Sequence, residues 1–315
     1  MSAGPAGGSV GITERQAPVM LVVIAFATVY LVWGSTYFFI ALSVAHIPPM
    51  LVGVFRYLSA GLAMLCYCLV RREKLFSWAV IRPAAVSGFL LLCCGNGCLI
   101  WAEQYIPSGL AAILLASGPV WFVVLDRRKW DENFRSVSTI VGLIVGFGGV
   151  LLLFAEQLHG GVYAGWHTAA LAVLVCGSVS WAAGSLFSKY RSAPVSNAVN
   201  AGWQMLSAGL VFIPASLLSG EWGHFSMAAV PFSSWAGIIY LVTMGSLVGY
   251  SAFVWLLQVR PATQVSTHAY VNPVVAVLLG VLFGGERLSA LQLVGLVVIL
   301  SSVLLINLAK YRRGG

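Results

Sequence analysis

Charged residues are scarce in this chain. They make up 8% of its 315 residues, while 60% are hydrophobic, and the mean hydropathy is +0.93. A soluble domain has roughly 25% charged residues, so this composition excludes that class. About 20 apolar residues are needed to cross about 30 Å of hydrocarbon as a helix. The sequence therefore predicts an all-α integral membrane protein with ten transmembrane helices, at about 19–41, 49–70, 80–102, 107–126, 137–155, 165–188, 195–218, 233–257, 263–283 and 288–309.

The motifs of ATP-driven pumps and of common hydrolases are also lacking. There is no G-x-x-x-x-G-K-[ST] loop and no HExxH, and the one G-x-S-x-G string, GGSVG at 7–11, lies in the polar tail and not at the strand–helix turn that a nucleophile elbow requires. The loops are too short to hold a soluble catalytic domain. We therefore predict no enzyme activity and no cofactor. No pair of cysteines lies in an outer loop, so we predict free thiols rather than disulfides, and Cys93, Cys94 and Cys98 have no nearby histidine or carboxylate that would indicate a metal site. All six lie inside apolar segments: Cys66, Cys68, Cys93, Cys94, Cys98 and Cys176.

Basic residues are almost absent from the loops on one side of the predicted membrane. Fifteen of the seventeen lie in the tails and loops on the side of the amino terminus, and the other two are Arg56 and Arg287. By the positive-inside rule, both termini are predicted to be cytoplasmic. The net charge of +8 is then a signal of orientation and does not indicate nucleic-acid binding. We predict that residues 1–18 form a disordered cytoplasmic tail and that residues 310–315 form a basic cytoplasmic tail.

The two halves of the chain repeat one another. The pentapeptide LSAGL at 58–62 recurs at 206–210, an offset of 148 positions. We predict two repeats, at 19–156 and 165–309. Each holds five spans, and an odd number places the second repeat upside down, as in many alternating-access transporters. Further matches are Trp33 with Trp181 at the same offset and, at an offset of 154, Trp101 with Trp255, Pro107 with Pro261, Pro119 with Pro273 and Glu132 with Glu286.

Several motifs, in order, resemble the EamA-type carriers of the drug/metabolite transporter superfamily, most closely the YedA- and YddG-like bacterial inner-membrane exporters. These motifs are WGSTY at 33–37, the Pro48-Pro49 pair followed by Arg56, PSGLAA at 107–112, YVNP at 270–273 and GERL at 285–288. The resemblance spans about 19–309. It implies ten helices around a central cavity, with helices 5 and 10 outside two four-helix half-cores, and efflux of amino acids and related metabolites. One departure is Asp131-Glu132, where the second repeat has Gly285-Glu286.

Arg56 is the one formal charge well inside a predicted span. A charge at this depth costs about 2.5–3.5 kcal/mol on insertion scales and indicates a functional site. Its forked donor group would suit a substrate carboxylate. The alternative, that Arg56 binds backbone carbonyls and fixes helix packing, carries equal weight. Its match in the second repeat is the uncharged Gln204, which we also place at the substrate site.

Two prolines at matching positions, Pro119 and Pro273, predict helix kinks in spans 4 and 9. Exposed backbone at membrane depth must face protein or a watery cavity, so these kinks favour a gating role over static packing. Gln264, His268 and Asn272 lie four residues apart on span 9 and share one face. Such a polar row could bond only to a neighbouring helix, but beside a kink it favours a cavity.

Other candidate substrate contacts are aromatic or small and polar. Trp and Tyr near span ends are often interface anchors, an alternative that applies most to Trp101. Aromatic walls would otherwise suit amphipathic ligands or a cationic group. The predicted contacts of this kind are Ser35, Tyr37, Asn96, Trp101, Trp181 and Tyr250.

No acidic residue lies in the middle of a span, so the usual carboxylate proton relay is missing. Proton coupling would rest on His268 or on Glu103 at the end of span 3, and we favour uncoupled export or exchange. The predicted function is export of amino acids or similar amphipathic metabolites. The alternatives are a multidrug or quaternary-amine exporter, and a membrane sensor or structural protein without flux. We predict a monomer in the lipid bilayer, with a dimer through GxxxG contacts as the alternative.

Overall fold

The computed structural model describes residues 17–159 and 166–311, and within these ranges the secondary structure is helical, with no strand. The main helices are α1 Val19–Val44, α2 Pro49–Val70, α3 Trp78–Ala102, α4 Ser108–Leu125, α5 Val137–His159, α6 Trp166–Arg191, α7 Asn197–Leu218, α8 Phe232–Val259, α9 in two pieces, Ala262–Val265 and His268–Phe283, and α10 Ala290–Tyr311. Short helical turns occupy Arg127–Lys129, Trp130–Phe134, Glu221–His224 and Met227–Ala229.

Seven of these helices are long and apolar enough to cross a membrane: α1 to α4 and α6 to α8. Shorter apolar stretches lie in the other three, at Val137–Gly149, Val271–Phe283 and Ala290–Ser302. The predicted all-helical class is confirmed, and the count of ten spans stays a prediction. The predicted tails, 1–18 and 310–315, fall almost wholly outside the described residues.

Several helices begin at proline. Pro49 is the first residue of α2, and Pro107, Pro231 and Pro261 immediately precede α4, α8 and α9. Proline suits a helix start because its fixed φ is helical and its missing N–H would have no partner there. α7 begins differently, since the hydroxyl of Ser196 accepts a hydrogen bond from the Val199 N–H at 3.2 Å.

The recurring LSAGL segments meet where α2 packs against α7. A Cβ on Gly61 would overlap the backbone of Leu206, and a Cβ on Gly209 would overlap the backbone of Leu58. The contact is therefore reciprocal, because the glycine of each LSAGL segment lies against the first leucine of the other segment. A reciprocal contact of this kind is the arrangement that a two-fold axis produces.

Two carboxylates from the second half of the chain cap helices of the first half. Glu221 accepts hydrogen bonds from the Met50 and Leu51 N–H groups at the start of α2, at 3.1 and 2.9 Å. Glu286 accepts from the N–H and hydroxyl of Ser108 and from the Gly109 N–H at the start of α4. Both contacts satisfy N–H groups that a helix start leaves open, and they lie on the predicted outer side.

Three transmembrane helices contain π-helical segments, at Val54–Leu58 in α2, Phe89–Asn96 in α3 and Leu241–Tyr250 in α8. The segments in α3 and α8 end at residues 154 positions apart and so match between the repeats. A π-turn leaves local hydrogen bonding irregular and is frequent at functional sites. All three segments contribute side chains or backbone to the central cavity described below.

The predicted kinks fall at different places in the two repeats. In α4 the helix is interrupted between Leu115 and Gly118, directly before Pro119. In α9 the interruption is at Ser266 and Thr267, and the second piece continues through Pro273. The matching prolines therefore do not give matching breaks.

The glycines with GxxxG spacing are Gly142/Gly146 on α5 and Gly245/Gly249 on α8, and one of each pair can be seen to pack within the chain. α5 and α10 lie along each other, and a Cβ on Gly146 would meet Val120 and Ser302. On α8, a Cβ on Gly245 would meet Thr36 and Arg56. The close approach that these glycines permit serves helix contacts inside one molecule.

Candidate functional site

A central cavity lies between α1, α2, α3, α4, α6, α8 and α9. Eight of the thirteen predicted site and gating residues line it: Tyr37, Arg56, Asn96, Pro119, Trp181, Tyr250, His268 and Asn272. Five do not belong to its lining: Ser35, Trp101, Gln204, Gln264 and Pro273. The wall also includes Trp33 of the WGSTY motif and residues that the sequence did not single out as contacts, chiefly Tyr57, Phe122, Ser178 and Ser246.

Arg56 is held on the cavity wall by neutral partners. Its Nε donates to the Ser246 hydroxyl at 3.0 Å, and its Nη1 donates to the Asn96 side-chain oxygen at 3.1 Å. The guanidinium carbon lies 4.9 Å from the centre of the Tyr57 ring. The side chain is only 4% exposed. These contacts orient the group without cancelling its charge, so a positive charge faces the cavity.

Asn96 is fixed as an acceptor by two donors. Besides Arg56, the Tyr57 hydroxyl donates to the same oxygen at 2.6 Å. An amide carries both an acceptor oxygen and a donor NH₂ group, so this arrangement leaves the NH₂ group available to other partners. Tyr57 was missed at the sequence level, although its position next to Arg56 was a usable signal.

Gln204, the repeat counterpart of Arg56, is sealed behind the cavity. It is 0% exposed. Its Nε2 donates to Ser87 at 2.8 Å and to Ser188 at 3.1 Å, and its Oε1 accepts from the Tyr250 hydroxyl at 2.6 Å. Because both ends of the amide are engaged, Gln204 fixes Tyr250 in the wall and is not itself open to a ligand.

Trp33 is the centre of an aromatic wall. Its ring lies 5.4 Å from that of Trp181, edge to face, and 4.8 Å from Phe253. Its Nε1 donates to the Gly245 carbonyl at 3.1 Å, which satisfies the indole. Trp33 and Trp181 are matching residues of the two repeats, so the repeats meet at this point of the cavity.

The polar row of α9 is only partly in the cavity. His268 Nδ1 lies 2.9 Å from the Val265 carbonyl, so the neutral ring has its proton on Nδ1 and an acceptor at Nε2. The amide of Asn272, in the orientation that suits its neighbours, donates to the His268 and Tyr30 carbonyls at 3.0 and 3.1 Å. Gln264 is half-buried and lies outside the lining.

Ser35 and Trp101 have other partners. The Ser35 hydroxyl donates to the Val32 carbonyl at 2.7 Å and lies 2.6 Å from the Tyr240 hydroxyl. Trp101 joins an aromatic group near the end of α3, with ring centres 4.9 Å from Tyr105 and 6.3 Å from Trp166. That position is typical of an interface anchor.

Comparison with known proteins identifies the family. A model of the EamA-like transporter family matches the chain twice, at residues 20–155 and 168–308. The chain belongs to this family. The resemblance predicted from the sequence is therefore confirmed, and transport of a small molecule across a membrane follows from family membership. The apolar helices fit a multi-pass membrane protein.

The names of individual relatives agree with the assignment of this chain to a family of transporters. It is 38% identical to the "Uncharacterized inner membrane transporter YedA" of Escherichia coli K12, over 91% of this chain and 90% of the relative. It is 25% identical to a "Probable amino-acid metabolite efflux pump" of Salmonella typhimurium, over 90% and 93%. A crystal structure with 19% identity shares the fold, with a TM-score of 0.65 over 95% of this chain and 100% of the other.

Proposed function

We propose that this EamA-family transporter exports amino acids or related amphipathic metabolites across the bacterial inner membrane by alternating access. The observation that carries the proposal is Arg56, a buried charge on the cavity wall whose hydrogen-bond partners Ser246 and Asn96 are neutral. A substrate carboxylate would supply the missing negative charge. Arg favours such a partner because it can donate two parallel hydrogen bonds.

The rest of the cavity suits the other part of such a substrate. Trp33, Trp181 and Phe122 give an apolar wall, against which a side chain can bury its surface. Ligand sites commonly combine such walls with a few placed polar groups. Tyr37, His268 and Asn272 would contact the polar atoms of the substrate that lie between its carboxylate and its side chain. Export is the direction supported by the name of the Salmonella relative, an efflux pump.

The alternating-access part rests on the relation between the repeats. The reciprocal contacts of Gly61 and Gly209 support a two-fold relation, and the family model matches each half separately. Together with five predicted spans per half and the basic loops on one side, this favours inverted repeats with both termini in the cytoplasm. The breaks before Pro119 and at Ser266 are candidate bending points.

The proposal is tested with purified protein reconstituted in liposomes. Vesicles preloaded with a mixture of L-amino acids should take up radiolabelled L-amino acids by counterflow. Arg56→Gln should abolish this uptake, and Arg82→Gln, which changes an exposed arginine of α3, should leave it intact. Absence of flux for every amino acid, with the protein folded, would refute the proposal.

The same vesicles separate the alternatives. A multidrug exporter should move a cationic dye, and Arg56→Gln should leave that movement unchanged or increase it, because removing a positive charge favours cations. A sensor or structural protein should show neither flux.

A further inference from the structure

The hydrogen-bond partners of Arg56 lie on the π-helical segments of the transmembrane helices. Arg56 and Tyr57 belong to the segment Val54–Leu58 of α2, Asn96 ends the segment of α3, and Ser246 lies in the segment of α8. Such turns are rare and are frequent at functional sites. Because the segments of all these helices meet in one hydrogen-bonded cluster on the cavity wall, this cluster has the form of a built ligand site.

The amide of Asn96 keeps a donor that the protein does not use. Its oxygen accepts from Arg56 Nη1 at 3.1 Å and from the Tyr57 hydroxyl at 2.6 Å. Two donors on one atom identify that atom as the oxygen and fix the orientation of the amide. Within the described part of the chain, its NH₂ group has no hydrogen-bond partner and is not sealed from the cavity. Because Asn96 lines the cavity, this NH₂ group can donate to a ligand.

Arg56 also keeps a donor for a ligand. Its Nε and Nη1 are bound to Ser246 and Asn96, whereas Nη2 has no acceptor among the described residues. A Cβ at Gly245 would lie 3.2 Å from Nη2, so a glycine at this position leaves the space beside the guanidinium open. The two unused donors, Nη2 and the amide NH₂, belong to side chains that are joined by a hydrogen bond. They can therefore serve the same acceptor group.

A carboxylate is the acceptor that suits this pair of donors. Its two oxygens are bonded to one carbon, so that one can accept from the guanidinium and the other from the amide. Hydrogen bonds between charged partners are roughly twice as strong as neutral ones. The carboxylate also brings the negative charge that the neutral partners of Arg56 lack.

The same wall offers no anionic partner to a ligand ammonium. None of the described residues that line the cavity is acidic. Glu103, at the end of α3, lies outside the lining, and both of its carboxylate oxygens are buried. Glu286 is bound to the helix start at Ser108 and Gly109. An ammonium in the cavity would therefore have only neutral groups around it.

The ammonium of an α-amino acid is thus a burden in this site. It is attached to the carbon next to the carboxylate, so a carboxylate held at Arg56 keeps the ammonium close to the guanidinium, and like charges repel. A charged group that leaves water without an opposite charge is penalised as well. The same acid without its amino group avoids both penalties.

We propose that Arg56 and Asn96 form a two-donor clamp for the carboxylate of amphipathic monocarboxylates, and that deaminated acids bind there more tightly than the corresponding amino acids. This inference rests on the proposed function, in which Arg56 binds a carboxylate, and it narrows the substrate class of that same site. The aromatic wall of Trp33 and Trp181 contacts the apolar body of the ligand. No bond is made or broken in the ligand.

The test compares matched ligands by titration calorimetry of the purified protein in detergent. L-phenylalanine carries both charged groups, hydrocinnamate is the same molecule without the ammonium, and phenethylamine is the same molecule without the carboxylate. L-leucine and isocaproate, its deaminated acid, form a second pair. Wild-type protein should bind each deaminated acid at least about tenfold more tightly than its amino acid. Phenethylamine should show no measurable binding.

Asn96→Asp separates the clamp from binding by the apolar wall alone. The new carboxylate replaces the NH₂ donor by an oxygen and pairs with Arg56, so hydrocinnamate affinity should fall by at least about 30-fold. The preference for hydrocinnamate over L-phenylalanine should disappear as well, because an anion now faces the ammonium. Asn197→Asp is the matched control and should behave as wild type, since Asn197 begins α7 outside the cavity lining. Glu103→Gln should leave the preference unchanged.

Several results would overturn the inference and leave the proposed function standing. Amino acids that bind as tightly as their deaminated acids, or more tightly, are one such result. Unchanged hydrocinnamate affinity in folded Asn96→Asp is another. A Glu103→Gln variant that weakens L-phenylalanine alone is a third, since it would identify Glu103 as the partner of the ammonium. Absence of binding by all of these carboxylates, together with absence of counterflow for every amino acid, would overturn the proposed function and the clamp with it.

Discussion

The two repeats place matching residues in opposite situations. Arg56 and Gln204 correspond at the offset of 148, and Asn96 and Tyr250 correspond at 154. In the first repeat Arg56 donates to Asn96, and in the second Tyr250 donates to Gln204. The paired positions are thus in contact in both copies. Arg56 of the first pair leaves a positive charge on the cavity wall. Gln204 of the second pair is buried behind that wall, and both ends of its amide are hydrogen-bonded within the protein.

The two copies therefore share their helix packing but differ in their polar side chains. The glycine contacts of α2 and α7 are the same in both copies, because Gly61 and Gly209 meet equivalent leucines. The polar pair is not the same. A duplicated framework can therefore keep its helix packing and still offer a ligand one charged site instead of two.

The largest expected effect comes from removing the charge. Arg56→Gln makes the first pair resemble the second, and we expect amino-acid affinity to fall by at least about 30-fold, since losing one partner of a buried charge pair costs about 2–5 kcal/mol. Binding and counterflow in proteoliposomes measure this loss. Arg56→Lys should recover part of it, as it restores the charge without the fork. Unchanged affinity in Arg56→Gln would mean that the charge serves helix packing alone.

A smaller effect tests the packing that the repeats share. Gly61→Val and Gly209→Val each force a side chain into a facing backbone, and we expect each to lower the free energy of unfolding by about 3 kcal/mol. The two losses should be similar. Thermal unfolding in detergent is the measurement. Gly148→Val serves as control, since nothing lies within 4 Å of a Cβ there. A large loss in only one of the two variants would contradict a reciprocal contact.

Gln204→Leu removes the centre of the closed pair. Tyr250 and Ser87 lose a partner, and an unsatisfied buried group costs about 1–3 kcal/mol, so we expect a loss of about 2 kcal/mol in stability. Thermal unfolding measures it. A loss of amino-acid affinity as large as that of Arg56→Gln would show that Gln204 is a ligand contact and not a buried clamp.

The smallest effect is expected for Tyr250→Phe, which deletes only the hydroxyl that donates to Gln204. We expect a loss of about 1 kcal/mol. In the Gln204→Leu background the same change should cost less, because the hydrogen bond is already absent. Additive losses in the double variant would indicate that the two side chains do not interact.

The sequence indicated most of the residues that line the cavity, but it did not show which of the nearby candidates lie outside the lining. Arg56 could be predicted because a charge inside a span is costly wherever it points. Ser35 and Trp101 could not be assigned, because distance along a span gives depth but not the neighbour that each side chain meets. Gln204 could not be assigned either, because it is covered by Tyr250 on the following helix, and spacing along the chain does not show which side chains of neighbouring helices meet.

The irregular backbone was harder still to predict. The π-helical segment at Phe89–Asn96 has no signature composition, so nothing in the sequence marked it. Proline did predict bending near Pro119, yet the break in α9 lies at Ser266 and Thr267, well before Pro273. Local sequence determines where a helix is weak, while packing determines where it breaks.

The capping carboxylates bear on whether either half could exist alone. Glu221 and Glu286 belong to the second half of the chain, but the N–H groups they bind start α2 and α4 of the first. A first half expressed separately would have to hydrate those helix starts or leave them unpaired. The halves resemble two copies of one ancestral unit, but on this side the starts of α2 and α4 in the first copy are completed by carboxylates of the second. Duplication has thus left the first copy dependent on the second for the pairing of these helix starts.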